Sequence, residues 1–197
     1  MSLTRLLAGA AFSCVAAVAA ATAGPVPKDQ ALQLMARPGA WIEADGVLQA
    51  DGTLLGKDVE VYAPGDTAEL EEPAVYGAIQ NLNRAKSTMR ILGYVVVWDA
   101  QTTLKDATKR QILSSKLQDG MGVKVQGTIQ ANGTFKATKI KLQDERVKNG
   151  KVKVKEKVFG PVTVLNSRDG ALRVLNTPVL LAGNSTFVEI VPNHAQP

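Results

Sequence analysis

Lys136, Lys139, Lys141, Arg146, Lys148, Lys151, Lys153, Lys155 and Lys157 fall within one stretch of 22 residues. Such a cluster of cations can hold an anionic ligand. From Lys151 to Lys157 the lysines share one parity, with Val152 and Val154 on the other. That alternation predicts an edge strand or ribbon with a cationic face. Three readings of the face stay open. It can bind an anionic polymer such as a glycan, a lipid surface or an acidic protein partner. It can be charge that keeps a sheet edge from pairing with other chains. It can also dock on an acidic part of the same molecule. Nucleic acid is the weakest partner, because aromatic residues make up only 5% of the chain and single strands need stacking platforms.

Other chemistry is sparse. His194 is the only histidine and lies three residues from the end, so a histidine triad or a His/Cys metal cluster has no residues to build from. Asp66, Glu69, Glu71 and Glu72 could gather around a hard cation, but they lack the spacing of a calcium loop and read as a solvated acidic linker. Asp144 and Glu145 read as surface. Gly52–Asp58 (GTLLGKD) lacks the four-residue gap and the Ser/Thr of a phosphate loop. No catalytic, cofactor or metal site is therefore expected, and a non-enzymatic binding or assembly module is the leading class. The alternative is an enzyme acting on a cell-envelope polymer through carboxylates.

The chain also carries an address. Arg5 precedes an apolar, alanine-rich run from Leu6 to Ala20, and Ala21-Thr22-Ala23 follows as a cleavage site. This pattern predicts a signal peptide cleaved after Ala23 and a periplasmic or secreted protein with no transmembrane segment left. The alternative is a lipoprotein anchored at Cys14, the only cysteine. Charge is unevenly spread. Residues 24–75 hold three basic and ten acidic side chains, whereas residues 76–157 hold seventeen and six.

The elements that must position the lysines are written twice. Gly46–Val61 (GVLQADGTLLGKDVEV) and Gly127–Leu142 (GTIQANGTFKATKIKL) pair without a gap at an offset of 81. Each has Asp-Gly or Asn-Gly between alternating apolar residues, the signature of a β-hairpin. Gly77–Leu104 and Gly160–Phe187 echo each other at an offset of 83. Two ungapped echoes indicate an internal repeat. In the later hairpin Phe135 and Ala137 have one parity and Ile140 and Leu142 the other, which predicts a bulge between them. A short helix is expected over Asp29–Ala36 and a longer one over Lys105–Gln118. Tyr94–Trp98 (YVVVW) reads as a strand buried on both faces.

The fold class that follows is all-β with short helices. It comprises two small OB-like antiparallel barrels, the second formed by the N- and C-terminal halves. The domain plan is a signal peptide (1–23), an N-terminal half-repeat (24–62), an acidic linker (63–74) and a central OB-like domain (75–143). A basic connector (144–157), a C-terminal half-repeat (158–191) and a tail (192–197) complete it. If the halves paired between molecules instead, the product would be a swapped oligomer.

Across residues 75–142 the pattern resembles the bacterial domain of unknown function 5666 family. The motif residues are Gly77, Ile79, Leu92-Gly93, Val95, Val97, Thr103, Asp119-Gly120, Val123, Val125, Gly127, Asn132-Gly133, Phe135, Ala137 and Ile140. The resemblance implies an exported, repeated β domain and brings no catalytic residue, cofactor or substrate with it.

Overall fold

The protein is described by a computed structural model covering residues 22–62, 72–143, 146–148, 151–166 and 170–191. Residues 1–21, which hold most of the expected signal peptide and Cys14, and also Asp66, Glu69, Glu71, Asp144, Glu145 and His194 lie outside the described residues.

A short strand, β1 (Thr22–Pro25), leads into α1 (Lys28–Met35). The helix buries Ala31, Leu32, Leu34 and Met35 and stops before Gly39, whose φ is 83°. The first hairpin follows as β2 (Trp41–Leu48) and β3 (Leu54–Tyr62). The central segment supplies β4 (Ala74–Ala78), β5 (Gln80–Asn83), β6 (Thr88–Ile91), β7 (Tyr94–Val97) and β8 (Thr103–Lys105). It ends in the second hairpin, β9 (Gly122–Ile129) and β10 (Phe135–Leu142). A two-stranded ribbon, β11 (Arg146–Lys148) and β12 (Lys151–Lys153), precedes β13 (Glu156–Asn166), β14 (Ala171–Val174) and β15 (Thr177–Val191).

The two ends of the chain close a five-stranded barrel. β15 pairs with β3, β3 with β2, β2 with β13, β13 with β14, and β14 again with β15. The central strands trace the same path from β4 through β9, β10, β7 and β6 to β5, with β8 beside β10. Here the strand equivalent to β13 is interrupted at Ile79, which lies in neither ladder. Of the two barrels expected, the ladders thus close one, and the central set follows its course with a break.

The registers repeat as well. Val96 faces Phe135 as Val179 faces Leu54, and Thr103 faces Lys139 as Thr186 faces Asp58. The predicted bulge is present. Thr138 is skipped where β10 meets β9, and Lys57, its counterpart 81 residues earlier, is skipped where β3 meets β2. The extra residue lets Phe135, Ala137 and Ile140 all face inward, each almost fully buried.

The two units join edge to edge through an antiparallel β4–β13 ladder that sets Val75 opposite Val158. These two residues are equivalent under the 83-residue echo, so an approximate two-fold axis passes between them. Tyr94 and Thr177, also equivalent, meet on the same axis with their hydroxyl oxygens 2.8 Å apart.

Three expectations are corrected. Residues 105–118 form no helix beyond a single 3-10 turn at Ser114–Lys116. Asp106 instead accepts hydrogen bonds from the Thr108 hydroxyl, the Arg110 backbone and the Arg110 side chain, holding a tight loop with Lys109 at φ 70°. Leu113, which a helix over these residues would place on its apolar side with Ile112 and Leu117, is 75% exposed. β7 is buried on one face only, because Val95 and Val97 remain partly exposed beside buried Tyr94 and Val96. The Lys151–Lys157 run is not one edge strand. It splits between the ribbon and β13, and Lys157 lies inside the main sheet between β2 and β4.

Candidate binding face

The ladders bring outward-facing residues into transverse rows across eight strands. One row reads Thr186, Asp58, Asp45, Lys157, Tyr76, Lys124, Lys141 and Lys105. The next sets Glu60 and Glu43 at the acidic end and Lys139 at the basic end. Parity explains the placement. Ile42, Ala44, Val59 and Val61 point into the terminal barrel, so Glu43, Asp45, Asp58 and Glu60 point out. Val123, Val125 and Ile140 are buried in the same way, which turns Lys124, Lys139 and Lys141 outward.

The face is therefore divided by charge. In these two rows four carboxylates lie on β2 and β3, and four lysines, Lys105, Lys124, Lys139 and Lys141, lie on β8, β9 and β10. Lys157 stands at the seam. Its ammonium pairs with Glu43 and lies 3.5 Å from Asp45. Burial pulls the Lys157 pKa down, but the Glu43 hydrogen bond and the charges of Glu43, Asp45 and Glu60 outweigh it and leave it raised. Tyr76 is also at the seam, with Lys124 Nζ 5.4 Å from its ring centre. Its pKa is raised by burial and by Glu43, against the opposing lysines. On the acidic side Trp41 and Tyr62 pack on Phe159, at ring-centre distances of 5.3 and 5.5 Å. The Tyr62 hydroxyl donates to Glu60, and burial followed by the Glu60 charge pushes its pKa up.

The residues first singled out are spread over three places. Lys136, Lys139 and Lys141 lie on β10, where Lys136 pairs with Asp99 at 3.2 Å. Arg146, Lys148, Lys151 and Lys153 form the separate ribbon, whose register sets Arg146 opposite Lys153 and Lys148 opposite Lys151. Lys155 is exposed, and its backbone N–H donates to the Gln143 side chain. Lys157 follows the third reading, since its charge is engaged with Glu43 and Asp45 of the acidic front. Glu72 of the acidic linker accepts a hydrogen bond from the bulge residue Thr138. The described residues contain no group of three His, Cys, Asp or Glu side chains able to hold a metal ion.

The family comparison covers the basic half of this face. The model of the family described as Domain of unknown function (DUF5666) matches residues 76–141. This DUF5666-like segment is the central unit of the fold. Lys105, Lys124, Lys139 and Lys141 all belong to it, and the ribbon follows directly after it. The carboxylates lie outside the matched segment, in the terminal unit whose sequence echoes it. No curated protein and no solved structure matches the chain.

The sequence marks residues 24–75 as acidic but does not single out Lys105 and Lys124 for the basic group or Glu43, Asp45, Asp58 and Glu60 for the acidic one. The signal was available in the repeat. Glu43, Asp58 and Glu60 precede Lys124, Lys139 and Lys141 by the same 81 residues that relate the hairpins.

Proposed function

We propose that the protein is an exported, non-enzymatic binding module that holds an anionic polymer of the cell envelope on its cationic half. The observation that carries this reading is the convergence of Lys105, Lys124, Lys139 and Lys141 on three adjacent strands. Neighbouring strands lie about 4.8 Å apart and alternate residues along a strand about 7 Å apart. Such a grid suits a chain carrying one negative charge per sugar or phosphate unit. The side chains of Lys105, Lys139 and Lys141 make no ion pair or hydrogen bond among the described residues, so their charge is available. The non-enzymatic reading draws support from the cross-strand pair Glu43 and Glu60. Glu43 is committed to Lys157 and Glu60 to Tyr62.

Retention on immobilised dextran sulfate tests the reading. The parent chain is expected to bind at low salt and to elute as ionic strength screens the contact. Lys139→Gln with Lys141→Gln should elute at clearly lower salt, whereas neutralising Lys151 and Lys153 in the ribbon should change elution less. Absence of retention at low salt, or unchanged elution of the β10 variant, overturns the assignment. Export is checked separately by intact mass, which should show a chain beginning at Gly24.

A further inference from the structure

The two halves of the face are opposite in sign at equivalent positions. Glu43, Asp58 and Glu60 occupy in the terminal unit the places that Lys124, Lys139 and Lys141 occupy in the central one. Within one molecule the halves lie on either side of the β4–β13 seam, where Lys157 pairs with Glu43 and lies 3.5 Å from Asp45. Asp58 and Glu60 form no ion pair among the described residues; Asp58 accepts a hydrogen bond from the Thr186 hydroxyl and Glu60 one from the Tyr62 hydroxyl. The protein thus presents, side by side, a surface and the charge complement of that surface.

We propose that a second copy of the chain docks on this face, the acidic half of each molecule against the cationic half of the other. A two-fold axis along the seam makes the contact twice, as a closed dimer requires. Charge complementarity also fixes the orientation, because rotating one copy by half a turn on the face would oppose like charges. The inference rests on the reading that the cationic half is a contact surface. It adds that the acidic partner of that surface is built into the same chain. An anionic polymer would compete with the second copy for the lysines.

Light scattering on the purified chain tests this at about 0.02 and 0.5 M salt, where screening differs strongly. Twice the monomer mass at low salt and the monomer mass at high salt is the expected result. Two charge-reversed chains sharpen the test. Asp58→Lys with Glu60→Lys should be monomeric alone, and so should Lys139→Glu with Lys141→Glu. Their equimolar mixture should recover the doubled mass, since each acidic surface again meets a basic one, and that recovery also shows that both chains are folded. A parent chain that stays monomeric at low salt, or a mixture that fails to associate, overturns the dimer. If the monomeric parent is still retained on dextran sulfate, the dimer alone fails. If neither association nor retention occurs, the contact-surface reading fails with it.

Discussion

Gly127 and Gly46 occupy the tightest points of the two hairpins. A Cβ at Gly127 would lie 2.0 Å from the Lys136 carbonyl oxygen, and one at Gly46 would lie 2.1 Å from that of Leu55. Backbone cannot yield that much without opening the bulge, so Gly127→Ala is expected to cost about 1–3 kcal/mol. Gly183→Ala, where a Cβ meets nothing within 4 Å, is the control, and urea unfolding of both reads the difference. The bulge carbonyls are satisfied by equivalent hydroxyls. Thr102 donates to Ala137 at 2.9 Å, and Ser185 donates to Gly56 at 2.8 Å. Thr102→Val leaves a buried carbonyl unpaired and should cost about 1–3 kcal/mol in the same assay.

Titration belongs to the same scale. The chain has three tyrosines, Tyr62, Tyr76 and Tyr94, and burial is the leading cause that raises the pKa of each. An unfolded chain releases these phenol protons first, so their contribution to stability is present below about pH 10 and is lost as pH rises. The raised Lys157 acts in the same window. Its pairing with Glu43 stabilises the fold fully below the ordinary lysine pKa and fails as pH climbs through the higher folded value. Phenolate absorbance is therefore expected to appear in one steep step that coincides with alkaline unfolding. A gradual rise centred at pH 10 in the folded protein would contradict the burial of these rings.

At the scale of the element, the hairpins were legible because the turn dipeptides and the phase change are local signals. The parity switch between Ala137 and Ile140 required an extra residue, and Thr138 is that residue. Deleting Thr138 leaves Phe135, Ala137, Ile140 and Leu142 in strict alternation on one face and removes only the bulge and its bend, so it should lower stability while unfolding stays cooperative, as should deletion of Lys57 in the earlier copy. Far-UV dichroism during urea titration would show it. The segment after β8 was misread because Ile112, Leu113 and Leu117 mimic a helical face. The competing signal is Asp106, whose carboxylate organises three donors and fixes a loop before a helix can start. The charged half-faces were illegible for a different reason. Outward residues such as Lys105 and Lys124 are separated by many residues of chain, and only the strand registers place them in one row with Lys141.

For the whole molecule, the ends of the chain are structural partners. β3 pairs with β15, and β2 with β13, so the first and last segments fold together. Their junction with the central unit is held on the two-fold axis by Val75–Val158 and by Tyr94. The Tyr94 hydroxyl accepts the Asn176 N–H at 2.9 Å, which leaves its own proton for Thr177. Tyr94→Phe should lower stability by about 1–2 kcal/mol, and pairing it with Thr177→Val should be less than additive. The same two-fold arrangement places the carboxylates of one unit at the positions of the lysines of the other. The most direct measurement of the account is lysine acetylation footprinting by mass spectrometry, with and without dextran sulfate. Lys105, Lys124, Lys139 and Lys141 should be protected, while the exposed Lys57, Lys86 and Lys109 react unchanged. Uniform protection of all seven, or protection that spares the four face lysines, would contradict the assignment of the cationic half as the binding surface.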